Sequence, residues 1–139
     1  MIRPSAIGHV LGLMLLVVGA TMLVPILWGV VTGGPVAELA WGMAATLATG
    51  LAGAWACPRP ATELSRREGL LLVVVTWVAV SAFGALPFYL SPFYPTNTDA
   101  FFESASGFTT TGATVLDNVE VLPEPLQFWR HFTHWLGGM

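Results

Sequence analysis

The segment Thr109-Thr-Thr-Gly-Ala-Thr114 contains the residues whose types and order point most directly to chemistry. Its small side chains leave backbone carbonyl oxygens accessible. A row of carbonyls can replace the water shell of a dehydrated monovalent cation without adding fixed negative charge. Gly112 is the pivot, because glycine adopts positive φ at little steric cost and can turn consecutive carbonyls in one direction. The segment therefore predicts a binding site for a monovalent cation such as potassium.

A short helix is predicted immediately before this segment, from about Asp99 to Phe108. Pro95 and the polar residues that follow it predict a turn, with Thr98 as the N-cap and Asp99 in the first helical turn. Such a helix is only about 15 Å long and cannot cross a bilayer. If it enters the membrane with its amino end first, the partial negative charge at its carboxyl end favours a cation held by the loop.

The composition of the chain is that of a membrane protein. Hydrophobic residues make up 55% of the 139 residues, charged residues only 9%, and the mean hydropathy is +0.71. A soluble domain has about 25% charged residues. The net charge is −3 and the sequence contains no lysine, which argues against a nucleic-acid partner. The lone Cys57 cannot form an internal disulfide and is interpreted as an inert, small apolar residue.

Three apolar runs are long enough to cross a bilayer, which takes about 20 residues. They are His9–Val31, Val36–Cys57 and Gly69–Leu90. The first run is longer than the apolar part of a signal peptide and has no clear cleavage site, so it is interpreted as a retained helix with a kink at Pro25. The sequence thus predicts three full crossings followed by a loop that enters and leaves on one side.

Arginine placement predicts the orientation of these helices. Apart from Arg130 in the last segment, the arginines lie in two places. Arg3 precedes the first helix, and Arg59, Arg66 and Arg67 lie in the loop between the second and third helices. The amino terminus and residues 58–68 are therefore expected in the cytoplasm, and the threonine-glycine loop is expected to enter from outside. The outer segment is acidic, with Asp99, Glu103, Asp117, Glu120 and Glu124. These carboxylates either concentrate cations modestly at the mouth or, for the last three, form a solvated loop.

The last segment, Pro125–Met139, is predicted to be a helix that begins at its proline. Its 15 residues are fewer than a full crossing requires, so it is interpreted as a helix cut short. Its aromatic residues are expected to form a belt at the outer membrane interface, at Phe128, Trp129, Phe132 and Trp135. Arg130 could either extend to the interface or pair with Glu103, and the sequence does not choose between these alternatives.

Parts of the sequence are also compatible with two other function classes. A membrane enzyme could use Glu103, His131 and His134 as metal ligands, but no third ligand has a recognised spacing, so interfacial packing of the histidines is favoured. His9 is likewise expected at headgroup level. A structural or assembly protein without an ion path is the second alternative, because small residues in the second helix suit helix packing. These residues are Gly42, Ala45, Gly50, Gly53 and Ala54.

Five motifs in order resemble the membrane subunit of Trk-type potassium uptake systems, in the superfamily that includes Ktr and plant HKT transporters. The resemblance covers essentially the whole chain and is strongest from about Arg66 onward. The motifs are Arg66-Arg-Glu-Gly69, Gly84-Ala-Leu-Pro-Phe88, Asp99-Ala-Phe-Phe-Glu-Ser104, Thr109-Thr-Thr-Gly-Ala-Thr114, and Phe128-Trp-Arg with Trp135-Leu-Gly-Gly-Met139.

The resemblance implies an all-α, polytopic membrane protein related to a potassium channel folded into one polypeptide. Residues 1–57 would be a leading transmembrane hairpin and 58–68 a cytoplasmic loop. Residues 69–139 would be the first of four helix–pore-loop–helix repeats, with a pore helix at about 99–108, a filter at 109–114 and a truncated second helix. The filter residues would bind potassium through backbone carbonyls at Thr110, Thr111, Gly112 and Ala113, with the glycine favouring potassium.

The resemblance also implies partners and a location. The complete subunit would be a multi-pass protein of the cell inner membrane, a homodimer, and a partner of a cytosolic nucleotide-binding regulatory subunit. Potassium would be its substrate, with no other cofactor, no enzyme activity and no nucleic acid. A gating loop in a later repeat would be needed for transport, so this chain alone is expected to be inactive. Whether uptake is channel-like or coupled to protons or sodium stays open.

Overall fold

The structure is a computed structural model that describes residues 3–59 and 64–139. Within these residues every regular element is a helix, as predicted. The α-helices are α1 Pro4–Thr21, α2 Leu23–Thr32, α3 Ala37–Ala56, α4 Arg66–Gly84, α5 Leu86–Tyr89, α6 Asn97–Phe108 and α7 Glu124–Gly138, with a 3-10 turn at Val119–Val121. Part of the predicted cytoplasmic loop, residues 60–63, lies outside the described residues.

Helices α1 and α2 form one apolar run that is interrupted at Met22. The sequence predicts a kink at Pro25, and the interruption lies three residues before that proline. Proline has no amide hydrogen, so residue 25 cannot donate to the carbonyl of Thr21 and the regular ladder is lost just before it. The two helices together span Pro4–Thr32, 29 residues that are long and apolar enough to cross a membrane.

Helix α3 packs against α1 through small residues. A methyl group on Gly12 of α1 would lie 2.5 Å from the backbone nitrogen of Ala54, and one on Gly50 would lie 2.9 Å from the carbonyl oxygen of Gly12. Such distances leave no room for a side chain, so the two backbones touch. The predicted packing role is confirmed for Gly42, Gly50 and Gly53. Ala45 is exposed in the described residues, so a packing role for it stays a prediction.

Helix α4 begins at Arg66, three residues before the predicted run. The Ser65 side chain accepts a hydrogen bond from the Glu68 amide, and the Glu68 carboxylate accepts one from the Ser65 amide, which forms a capping box. After Gly84 the chain continues into the single turn α5. Among the described residues, Pro4–Thr32 and Arg66–Tyr89 are long and apolar enough to span a membrane. A crossing by α3, with its 20 residues, stays a prediction.

The core lies where α4, α5, α6 and α7 meet, and Trp129 is at its centre. This side chain is fully buried, its Nε1 donates to the carbonyl of Gly84 at 3.0 Å, and its ring meets Phe108 edge to face. The prediction that Trp129 belongs to an interfacial belt is therefore wrong. Trp135, one turn and a half further along α7, is 57% exposed. Aromatic composition alone does not separate the buried face of this helix from its exposed face.

Candidate functional site

The short helix that precedes the threonine-glycine loop is present as α6, Asn97–Phe108. Its N-cap is Thr96, whose hydroxyl oxygen accepts from the Asp99 amide at 3.1 Å and lies 2.7 Å from the Asp99 carboxylate. The prediction of Thr98 as the cap is wrong, because the helix begins one residue before that threonine. The predicted element, about Asp99 to Phe108, is otherwise confirmed with two additional residues at its start.

The chain folds back over the carboxyl end of α6 as soon as the helix ends. The amides of Thr110 and Thr111 donate to the carbonyls of Gly107 and Ser106, each at 2.9 Å, and the Gly112 amide lies 3.4 Å from the same Ser106 oxygen. These bonds satisfy carbonyls at the helix end that would otherwise lack partners. The loop is therefore held against the carboxyl end of α6 by backbone hydrogen bonds.

The sign of φ alternates along the backbone of this loop. The φ angle is −82° at Thr109, +57° at Thr110 and +77° at Gly112, and Thr111 between the last two has negative φ. A change in the sign of φ from one residue to the next interrupts the helical winding, so the loop does not continue the spiral of α6. Residues 109–112 are exposed. An exposed, non-helical backbone of this kind can offer carbonyl oxygens to an ion.

Two residues of the loop, Thr110 and Gly112, have positive φ, and only Gly112 is predicted from the sequence to do so. No heavy atom lies within 4 Å of the position that a Cβ would take on Gly112, so glycine is required there by conformation and not by space. Thr110 is the one non-glycine residue with positive φ among the described residues. For a β-branched side chain this conformation is rare and costs about 1–3 kcal/mol. Strain of this size persists only where surrounding contacts enforce it.

Side-chain hydroxyls fix both ends of the loop. The hydroxyl of Ser106, which is buried in α6, donates to the carbonyl of Ala113 at 2.6 Å. The Thr109 hydroxyl donates to the carbonyl of Ala105 at 2.6 Å and lies 2.8 Å from the hydroxyl of Thr111. Of the four carbonyls predicted as ligands, that of Ala113 is thus already partly occupied. Nothing in the sequence pattern marks Ser106 for this role.

A buried ion pair lies behind the loop. Glu103 of α6 is 1% exposed, and its Oε1 lies 2.5 Å from Nε of Arg130 on α7. Its Oε2 accepts from the Thr114 hydroxyl at 2.9 Å and from the Val115 amide at 3.3 Å. Of the two alternatives for Arg130, pairing with Glu103 is the one observed. The expectation that Glu103 adds negative charge at an outer mouth is wrong, because its charge is buried and compensated.

Helix α7 packs directly on the carboxyl end of α6. A methyl group on Gly107 would overlap the Thr133 hydroxyl, and one on Gly137 would overlap the carbonyl oxygen of Phe108. Thr133 and Gly137 are four residues apart and so share one face of α7. Two glycines, one on each helix, thus bring the second helix against the base of the loop. The sequence predictions assigned no role to either of them.

Tyr94 is a buried tyrosine that experiences the charges of Glu103 and Arg130. Tyr94 lies in the loop between α5 and α6 and is 3% exposed. Its hydroxyl and that of Ser104 have no hydrogen-bond partner within residues 3–59 and 64–139. Burial, and to a lesser degree the charge of Glu103, raises the pKa of Tyr94. The phenol is therefore neutral at physiological pH.

The histidines are used in hydrogen bonds to backbone carbonyls. Nδ1 of His131 lies 2.8 Å from the carbonyl of Gln127, and Nδ1 of His134 lies 2.8 Å from the carbonyl of Arg130, both on α7 itself. No group of three or more His, Cys, Asp or Glu side chains that could hold a metal occurs in the part of the chain that is described. The arrangement gives no support to the alternative of a metal-dependent enzyme.

His9 is buried between the ends of two helices. It is 7% exposed, and its Nδ1 lies 2.9 Å from the carbonyls of both Ala54 and Cys57. These oxygens belong to the end of α3, where carbonyls lack intrahelical partners. The imidazole joins the start of α1 to the end of α3, and its location at headgroup level stays a prediction.

Comparison with known proteins identifies close relatives. Residues 37–139 match the TrkH family, described as cation transport proteins. The chain is 40% identical over 136 residues to the Trk system potassium uptake protein TrkH of Salmonella typhimurium, covering 96% of this chain and 28% of that protein. It is 43% identical over 77 residues to an uncharacterized cation transporter of Methanocaldococcus jannaschii, covering 55% of this chain and 16% of that protein.

A solved structure extends this likeness to the fold. The crystal structure of the potassium transporter TrkH from Vibrio parahaemolyticus superimposes with a TM-score of 0.90 at 34% identity, covering 99% of this chain and 30% of that one. The chain thus spans less than a third of the length of the relatives it matches. The resemblance read from the sequence motifs is confirmed, together with the all-α membrane-transporter fold that it implied. The chain belongs to the TrkH family of cation transport proteins.

Proposed function

We propose that this chain contributes one repeat of a potassium uptake pathway across a cell membrane. The observation that carries the proposal is the alternating backbone of Thr109–Gly112 at the carboxyl end of a 12-residue helix. Accessible carbonyls and the negative end of a helix dipole both favour a dehydrated cation. Relatives named as potassium uptake proteins support potassium as the substrate.

The proposed ligands are the backbone carbonyls of Thr110, Thr111, Gly112 and Ala113. The first three belong to exposed residues, and the fourth also accepts a hydrogen bond from Ser106. Carbonyl dipoles bind a monovalent cation without requiring a fixed carboxylate nearby, and the one carboxylate close behind the loop is already paired with Arg130. No cofactor is needed for this role.

One repeat supplies only part of a cation cage, because carbonyls must surround the ion to replace its hydration shell. The remaining ligands would come from further repeats of a complete subunit, consistent with relatives more than three times as long as this chain. We place the amino terminus in the cytoplasm of an inner-membrane protein, with α3 as a further crossing. A homodimer and a cytosolic nucleotide-binding regulatory subunit complete the proposed assembly.

The test is a comparison of two glycines in the full-length subunit that carries this segment. Gly112 and Gly33 both have positive φ and open space at the Cβ position, but Gly33 lies in the turn between α2 and α3. Each is changed to serine, and potassium uptake is measured against sodium uptake in bacteria that lack their own potassium transporters. The backbone strain is matched at the two positions.

Gly112→Ser should lower potassium-over-sodium discrimination roughly 5- to 150-fold, which corresponds to the 1–3 kcal/mol of a strained residue acting on one bound ion. Gly33→Ser should leave discrimination unchanged even if it reduces the amount of protein. Unaltered discrimination in a well-expressed Gly112→Ser variant would contradict the proposal.

A further inference from the structure

We propose that Glu103 is a positioning residue for ion selectivity: its carboxylate holds the return limb of the loop, defined as residues Ala113, Thr114 and Val115, at a fixed distance from α6. The inference rests on the proposed function of the preceding loop and concerns the same site. Glu103 itself does not contact the ion. It acts on the backbone that carries the carbonyls.

The two oxygens of the Glu103 carboxylate have different partners. Oε1 faces the Arg130 guanidinium of α7, and Oε2 accepts from the Thr114 hydroxyl and the Val115 amide. One side chain therefore connects α6, α7 and the return limb. Charge-assisted hydrogen bonds of this kind are about twice as strong as neutral ones and are directional.

The charge on Arg130 makes this arrangement stable in an apolar setting. Glu103 is 1% exposed and the Arg130 side chain is 9% exposed, so neither charge is solvated by bulk water. A buried carboxylate is tolerated when a counter-charge and further hydrogen bonds satisfy it. Arg130 supplies the counter-charge at Oε1, which leaves Oε2 available to accept from the limb.

A second contact makes the limb a rigid element. Ser106 donates to the Ala113 carbonyl, while Glu103 binds Thr114 and Val115. Glu103 and Ser106 are three residues apart on α6 and share one face of that helix. Three consecutive residues of the limb are thus attached to one helix face. The position of the Gly112 carbonyl, one residue before the limb, follows from these attachments.

The size of a carbonyl cage, or the field of its dipoles, determines which ion it prefers. A change in Glu103 should therefore alter discrimination between ions and not merely the amount of active protein. Glu103→Asp keeps the charge that Arg130 needs but shortens the side chain by one methylene, so that the carboxylate cannot reach both α7 and the limb. Thr114→Val removes one donor to Oε2, together with the acceptor of the Leu116 amide, with little change in shape.

The matched control is Glu68→Asp. Glu68 is also 1% exposed and also paired with an arginine, but it lies at the start of α4 and its carboxylate contacts Arg3 and Ser65 rather than the loop. All three variants are made in the full-length subunit. Initial rates of potassium and sodium uptake give the discrimination ratio, KM and Vmax, and immunoblots of membranes give the amount of protein.

Glu103→Asp and Thr114→Val should each lower the potassium-over-sodium ratio at least about fivefold and raise KM for potassium, because a hydrogen bond to a charged group is lost or displaced. Glu68→Asp should change only the amount of protein and hence Vmax. Proportional loss of Vmax and protein, with the ratio and KM within about twofold of the parent, is the signature of a purely structural role.

The inference is overturned if Thr114→Val retains the parental potassium-over-sodium ratio, because any effect of Glu103 on selectivity would then not pass through the return limb. If Glu103→Asp fails to reach the membrane, Thr114→Val alone decides the question. Failure of the proposed function is distinguished by Gly112→Ser. If that variant lowers the ratio and Thr114→Val does not, the loop binds the ion but Glu103 does not position it. If Gly112→Ser has no effect, the assignment of the loop itself is wrong.

Discussion

Two buried glutamate–arginine pairs lie in different regions of the molecule and serve different neighbours. Glu68 and Glu103 are each 1% exposed. The Glu68 carboxylate accepts from the backbone amide, Nε and Nη2 of Arg3, and from the Ser65 amide. All of these donors belong to the ends of two helices, α1 and α4. The pair therefore joins helix termini and satisfies groups that termini leave unpaired.

The Glu103 pair joins a helix to a loop instead. Its carboxylate divides its acceptors between Arg130 and the return limb, and it contacts no helix terminus. The arginines differ as well, because the Arg3 side chain is 37% exposed and that of Arg130 is 9% exposed. Composition and burial of the carboxylate do not separate these two cases. The two cases differ in the partners of the carboxylate Oε2: in Glu68 they belong to helix ends, and in Glu103 they belong to the return limb of the candidate ion site.

The largest effect is expected from removing the arginine of the more buried pair. Arg130→Ala leaves the Glu103 carboxylate buried without a counter-charge, which costs about 3–5 kcal/mol. Arg3→Ala should destabilise the protein less, since water can reach that end of its pair. Thermal unfolding of the two purified variants in detergent checks the order, and equal losses of Tm would contradict the distinction between the pairs.

The contact of α7 with α6 gives the next largest effect. A Cβ on Gly137 would overlap the carbonyl of Phe108, whereas one on Gly138 would meet its nearest neighbour at 3.7 Å. Overpacking of a close contact costs about 1–3 kcal/mol. Gly137→Ala should thus lower Tm clearly and Gly138→Ala should not. If both are tolerated equally, the second helix is not held against the base of the loop and Arg130 is not held in register by it.

Removal of the Ser65–Glu68 capping box tests whether the Glu68 pair contributes to stability without affecting ion selectivity. Ser65→Ala eliminates the acceptor for the Glu68 amide and should cost about 1 kcal/mol. We expect a lower Tm with an unchanged potassium-over-sodium ratio, because the cap has no contact with the loop. A change in ion discrimination on this substitution would show that the two pairs are not independent.

The smallest effect is expected at the cap of α6. Thr96→Ala should cost about 0.5–1 kcal/mol, at the low end for an exposed cap. Thr98→Ala, at the position that the sequence predicted as the cap, should have no measurable effect on Tm. The reverse order would restore the sequence prediction and move the start of the helix.

The parts of the fold that could be predicted depend on local patterns. The apolar runs gave the long helices, and the proline and threonine cluster gave α6 to within two residues. The capping box at Ser65 and Glu68 was also readable as Ser-x-x-Glu, although it was not predicted. Each of these signals lies within a few residues of the structure that it specifies.

The parts that could not be predicted depend on contacts between distant segments. Glu103 and Arg130 are 27 residues apart, so the sequence left their pairing open. Trp129 is buried because α4 and α6 cover it, which no composition rule detects. The positive φ of Thr110 follows from the closure of the loop on Ser106, since an isolated threonine would avoid that conformation.

The hydrogen bond from Ser106 to Ala113 affects how the loop behaves when no cation occupies it. A carbonyl that loses an ion in an apolar environment becomes an unsatisfied acceptor, and the backbone is then drawn to rearrange. The Ala113 oxygen already has a donor at 2.6 Å that does not depend on an ion. Under the proposed function, the Ala113 carbonyl therefore keeps its position between successive ions. A rearrangement of the loop without an ion would have to begin at Thr110–Gly112.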